Sequence, residues 1–186
     1  MNNADKKKKE LQSCNASVEK IYDGDLISVV KYTTSPSNTY ECVRHPQAVT
    51  MVPLTKDGKL ILVRQYRYCV DQILLEFPAG NISPNEDPFR AANRELQEEI
   101  GYKAETLVLL ESVFSSPGFS DEYLHIFLAK DLRPSQFIAE DTFEIDIVTL
   151  TLAEMHEKIK NHEIIDAKTL CGIFLFEKWK KENQLQ

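Results

Sequence analysis

Cysteine is scarce and scattered: Cys14, Cys42, Cys69 and Cys171 form no CxxC pair in 186 residues. That spacing argues against a cysteine zinc site and a dithiol redox motif, and fits reduced thiols in a cytoplasm. No apolar run approaches the roughly 18 residues of a membrane span, and no apolar segment follows the N-terminal lysines as a signal peptide requires. The chain is therefore expected to be soluble and intracellular. Positive charge is also short: 22 Lys and Arg stand against 29 Asp and Glu, a formal net charge of -7. A general nucleic-acid or anionic-membrane surface would need a basic face. The single basic run, residues 6–9, lies in a polar N-terminus and reads as a solvated end, with RNA binding or targeting as the other reading. Internal repeats, low-complexity segments and interior linkers are absent as well. What remains, 42% hydrophobic and 27% charged, suits one sizeable core.

The N-terminal third reads as strands. "LISVVKYTT" (26–34) and "TYECVRH" (39–45) flank the turn cluster "SPSN" as a hairpin. "AVTMVPLT" (48–55) and "KLILVRQYRY" (59–68) flank Asp57-Gly58, and this second hairpin is expected at the centre of a sheet. Further strands are expected at 106–114 and 122–130. Helices are expected at 152–160 and 167–181, the last burying Ile173, Phe176 and Trp179. Strands interleaved with one central helix and two late ones give an α/β or α+β layered domain.

The central helix carries the chemistry. Asp87 reads as its N-cap, Pro88 as its first residue and Gly101 as the residue that ends it. On a wheel of about 100° per residue, Phe89, Ala92, Leu96 and Ile100 form an apolar stripe, and Glu95, Glu98 and Glu99 occupy the adjacent arc. In water such glutamates repel by a few tenths of a kcal/mol. At a partly buried sheet edge each close pair would cost on the order of 3 to 4 kcal/mol, so either the face is solvated or it holds a cation. Carboxylates without nearby His or Cys suit Mg²⁺ or Mn²⁺.

The segment 80–102 resembles the Nudix hydrolase signature. Gly80, Glu86, Arg94-Glu95, the apolar Leu96, Glu98-Glu99 and Gly101 stand at the family spacings, with Tyr102 where an aliphatic residue is usual. The resemblance implies a Nudix fold, a mixed β-sheet sandwiched between helices, and hydrolysis of a nucleoside diphosphate linked to another group. It implies Glu95 and Glu99 as principal metal ligands, Glu98 as a further ligand and catalytic carboxylate, and the carbonyl of Ala79 completing the site. Arg94 and Glu86 are then an ion pair that supports the loop.

Outside that segment, "HPQAV" (45–49), "VRQYR" (63–67), "LLEFPAG" (74–80), "SSPGFSDE" (115–122) and "DAKTL" (166–170) resemble the ADP-ribose pyrophosphatase and nucleoside-diphosphate-sugar branch. The likeness covers nearly everything after about residue 20. It implies Arg67 against the pyrophosphate through paired hydrogen bonds, with Arg44, Glu76, Pro117 and Glu122 as further substrate contacts. Surface or structural pairing is the other reading of Arg44, Glu76 and Glu122, and a plain turn that of Pro117. The stretch 140–146 corresponds to the loop carrying the family's extra carboxylate. Phe143 falls where an acid is common, which leaves Glu140 or Glu144 as the general base.

The implied protein is a Mg²⁺-dependent hydrolase of ADP-ribose to AMP and ribose 5-phosphate. It would be a cytoplasmic homodimer that exchanges N-terminal strands. The expected parts are a flexible tail (1–15), dimerising N-terminal strands (16–47) and a Nudix domain (48–182). Hydrolysis of GDP-mannose or UDP-glucose, a nucleotide-sensing module that does not cut, and RNA cap removal are the rival readings. Tyr22, Tyr32 and Tyr40 are candidates for stacking on the base.

Overall fold

A computed structural model describes residues 17–35, 38–135 and 145–183. Strands β1 (Ser17–Asp23), β2 (Ser28–Ser35) and β3 (Asn38–Arg44) form an antiparallel sheet in that order. The hairpin expected around "SPSN" is there, with Thr33 opposite Thr39. Strand β1 falls within the N-terminal strands expected over 16–47, but its own bounds carry no signal, since every residue of SVEKIYD is exposed and shows no strict apolar alternation. The segment Ser116–Glu122 groups with this sheet in one unit. Its backbone bonds β3 on both sides of Val43, with Val43 N–H donating to Phe119 O at 2.7 Å and Asp121 N–H donating to Val43 O at 3.1 Å.

The second unit comprises Gln47–Ser115 and Tyr123–Gln186. Its elements are β4 (Ala48–Pro53), β5 (Leu60–Arg67), β6 (Gln72–Glu76), β7 (Ala79–Asn81), α1 (Pro88–Ile100), β8 (Tyr102–Phe114), β9 (Tyr123–Pro134), β10 (Asp146–Leu150), α2 (Leu152–Lys160) and α3 (Ala167–Glu182). One sheet runs β7-β4-β9-β8, with β4 and β9 parallel and the other pairs antiparallel; the other runs β10-β5-β6. Residues alternate between two cores along β4, β5 and β9. Val52, Leu60, Leu62, Ile126 and Leu128 pack with Ile173 and Phe176 of α3, whereas Val49, Met51, Ile61, Val63 and Phe127 pack with Ala92, Leu96 and Ile100 of α1. The sheets thus stand between helices, which is the expected layered architecture.

Two expectations are corrected. The Asp57-Gly58 turn forms, with Gly58 at φ 81°, but its flanking strands separate into different sheets after one bridge, Leu54 to Leu60. Strands buried on both faces read as continuous apolar runs, so the pattern does not name a partner. In α1 the apolar stripe is rotated. Phe89 is 46% exposed, while Ala91 and Glu95 turn inward with Ala92, Leu96 and Ile100. A glutamate therefore lies within the buried face. Helix bounds match at Pro88–Ile100 and Leu152–Lys160. Trp179 is half-buried against the α3 core, as expected. No helix among the described residues is long and apolar enough to cross a membrane.

Candidate active site

The site grows from the two ends of α1. Asp87 caps the helix through Phe89 N–H at 3.0 Å and Arg90 N–H at 3.3 Å, worth about 1 kcal/mol. Gly101 ends it at φ 70°. Between them Arg94 gathers the acids. Its guanidinium donates to both oxygens of Glu86 at 3.0 and 2.9 Å, to Asn81 O at 2.9 Å, to Glu95 at 2.6 Å and to Glu98 at 3.1 Å. Glu86 also accepts from Ser83 N–H at 3.0 Å, which closes the loop before the helix. The Arg94 bond holds Glu86 down at about 2, and the Glu86 bond in turn raises Arg94.

Glu95 and Glu99 project from this helix toward β7. A Cβ on Gly80 would stand 2.0 Å from the Glu95 carboxyl carbon, so the glycine makes the seat in which that carboxylate lies. Burial raises the pKa of Glu95 against the pull of Arg94. Glu99 accepts a hydrogen bond from Ala79 N–H at 3.1 Å. Burial, and then the charge of Glu95, push it up to about 8. Among the described residues Glu99 makes no ion pair.

These residues fit a hard divalent cation. The donors are carboxylates without thiol or imidazole, and one of them is buried beside like charge, which a cation would relieve. Among the described residues no three acidic, His or Cys side chains converge on one point. Glu95 Oε1 and Glu98 Oε2 accept from Arg94, which leaves the other oxygen of each for an ion, whose remaining ligands would be backbone carbonyl, water or substrate oxygens.

A second ionic cluster adjoins the strand that leads into β7. Glu76, fully buried, accepts from Arg67 Nε at 2.7 Å and Nη2 at 2.8 Å, a two-point contact that raises the arginine. Lys168 Nζ also donates to Glu76 and lies 3.1 Å from Asp166. Asp166 caps α3 by accepting from Thr169 N–H, and the Thr169 hydroxyl accepts Phe77 N–H at 2.9 Å. A groove of about 730 Å³ lies along Arg64, Tyr66, Arg67, Tyr68, Ile73 and Asp146. Of this cluster the sequence points to Arg67 and Glu76, while Asp166, Lys168 and Thr169 carry no local signal of a role.

The other expected residues lie in the first unit or outside the described residues. Arg44 pairs with Asp121 at 2.5 Å and donates to the Tyr32 hydroxyl. Glu122 stands 3.7 Å from His45, and Pro117 sits in a turn closed by Phe119 N–H to Ser116 O at 3.1 Å. Tyr22 and Tyr40 are exposed. Glu140 and Glu144, the two candidate bases, and Phe143 lie outside the described residues.

Comparison with known proteins identifies the family. The NUDIX domain family model matches residues 44–172. The chain is 37% identical to a methanol dehydrogenase activator of Bacillus methanolicus, over 83% of this chain and 87% of that one. It is 34% identical to an ADP-ribose pyrophosphatase of Bacillus subtilis (strain 168), over 89% and 92%. A crystal structure of ADP compounds hydrolase superposes with a TM-score of 0.77 at 29% identity, covering 90% of this chain and 93% of the other. The chain belongs to the Nudix family.

Proposed function

We propose that this protein hydrolyses the diphosphate bond of ADP-ribose to AMP and ribose 5-phosphate with a divalent ion, Mg²⁺, at the glutamate helix. The observation that carries the reading is the pair of buried Glu95 and half-buried Glu99, packed against β7, with no ion-pair partner for Glu99 among the described residues. The names of the Bacillus subtilis relative and of the structural neighbour support ADP-ribose or a related ADP compound.

Glu95 and Glu99 would be the principal ligands, with Glu98 and the Ala79 carbonyl completing the set. The bound ion would neutralise phosphoryl oxygens and lower the pKa of the attacking water. Arg94 and Glu86 hold the helix start and the preceding loop as one piece, so the carboxylates keep their positions through turnover. Arg67, aimed by Glu76, binds phosphate oxygens. Water oxygen bonds to one phosphorus, the bond from that phosphorus to the bridging oxygen breaks, and Glu140 or Glu144 takes the proton. Arg44, Pro117 and Glu122 are proposed substrate contacts on the first unit. The protein would act in the cytoplasm as a homodimer. The exposed Val18, Ile21, Tyr22 and Tyr40 of the N-terminal sheet are apolar surface that a second copy could cover.

A second reading, a module acting on a partner enzyme, is favoured by the name of the Bacillus methanolicus relative. Chromatographic product analysis with ADP-ribose, GDP-mannose, UDP-glucose and capped RNA decides between them. AMP and ribose 5-phosphate formed fastest from ADP-ribose support the hydrolase. Preference for another sugar nucleotide moves the substrate, and binding without cleavage supports the module.

A further inference from the structure

Lys168 occupies a position that local physics disfavours. It is the second residue of α3, where the helix dipole presents its positive end and a cation is opposed. Its side chain is nevertheless only 15% exposed, although burying an ammonium is costly without partners. Both penalties are offset by two carboxylates, Glu76 on β6 and Asp166 at the helix cap. Such a violation of local preference, held in place by a distant strand, marks a position kept for something other than helix stability.

Its partner identifies the task. Glu76 is shared between Lys168 and Arg67, and the Arg67 contact uses Nε and Nη2, which leaves Nη1 without a protein acceptor among the described residues. Two cations and two carboxylates make Arg67, Lys168, Glu76 and Asp166 neutral as a group. Without Lys168 the group carries one net negative charge, and Arg67 faces Glu76 with no second cation to share it. An anionic diphosphate would then approach a repulsive field. The same helix turn also grips the backbone that continues to Ala79, through Thr169 and Phe77 N–H.

We propose that Lys168 is a positioning residue for substrate binding: by sharing Glu76 it fixes the direction of the Arg67 guanidinium and keeps its charge available to the diphosphate. The inference rests on the hydrolase reading above. Lys168 need not touch the substrate itself.

The test is steady-state kinetics of Lys168→Met, Lys168→Gln and Lys168→Arg on ADP-ribose, or on whichever diphosphate the wild-type chain turns over fastest, each variant with its melting curve. Both neutral variants should raise KM about tenfold with kcat within about threefold, the order expected when one charge acting on an anion through partly screened protein is lost. Lys168→Arg should restore KM to within about twofold, since it keeps the charge. In an Arg67→Ala background the neutral substitutions should add little, because two residues acting as a unit are not additive. A purely structural role would instead lower kcat with the folded fraction and leave KM alone. Unchanged KM in a folded neutral variant, or full additivity with Arg67→Ala, overturns the inference while leaving the hydrolase reading intact. If Lys168→Met fails to fold, Lys168→Gln carries the comparison, and if both fail the lysine is structural and the inference falls. A wild-type chain inactive on every diphosphate sinks the inference together with the reading beneath it.

Discussion

Replacing Gly80 by alanine should separate the chemistry of this protein from its stability. The added Cβ would stand 2.0 Å from the carboxyl carbon of Glu95 and 2.2 Å from each of its oxygens. Ordinary carbon contacts begin near about 3.5 Å, so the carboxyl must move by more than about 1 Å. Only the free end of a side chain has to shift, and Arg94, 2.6 Å away, can follow it. The sheet and both cores keep their contacts, so the melting temperature should change by no more than a few degrees, about 1 kcal/mol. Displacing the proposed metal ligand by about 1 Å should cost on the order of a hundredfold in rate. Turnover of ADP-ribose with saturating Mg²⁺ should therefore fall about a hundredfold in a protein whose circular dichroism melt is near native. Gly101→Ala should show the reverse. Nothing lies within 4 Å of its added carbon, but φ is 70°, so it should lose about 1 kcal/mol of stability at unchanged kcat. A folded Gly80→Ala protein with kcat within about threefold of wild type would refute the role given to Glu95.

The ion pair at the helix start sets a pH signature. Glu86 drops from an ordinary 4.5 to about 2 through its Arg94 bond. Because the folded value is the lower one, its contribution is whole above about pH 4.5 and is lost as pH falls through about 2. Urea unfolding of Glu86→Gln should show a loss of about 1 to 2 kcal/mol at neutral pH that shrinks toward zero near pH 2; an equal loss at both ends would contradict the pairing. Arg67→Ala should raise KM for ADP-ribose by about tenfold or more, beyond any effect of its change in stability. An unchanged kcat/KM would remove Arg67 from the substrate site.

How legible each part was in the sequence follows from the range of the forces involved. The α1 bounds were readable to the residue because Asp87, Pro88 and Gly101 act locally. The arc of Glu95, Glu98 and Glu99 was readable from helix spacing, whereas the roles of Arg94 and Glu86 came from the resemblance to the Nudix signature, whose residues all lie within one loop and helix. The bounds of strand β1 were not readable, since an exposed strand carries no alternation, and the partners of β4 and of the first half of β5 were hidden by burial on both faces. The Lys168 to Glu76 contact joins residues 92 apart, and no local pattern reports which strand a helix cap will meet. The rotation of the α1 stripe toward Ala91 and Glu95 likewise depends on what the helix packs against.

Whether Glu99 binds the divalent ion used in turnover is decided by titrating Mg²⁺ into wild type and Glu99→Gln while following both turnover and melting temperature. Burial and Glu95 push Glu99 up to about 8. Its folded state retains the proton between about 4.5 and 8, so ion-free stability falls as pH rises through that window. At pH 8 the wild type should gain both activity and melting temperature with Mg²⁺ and lose both to chelator. Glu99→Gln should melt as high or higher without ion, show little shift with it, and turn over about a hundredfold or more slowly. A glutamine variant with near-native kcat and the same Mg²⁺ shift as wild type would mean that the ion is held without Glu99.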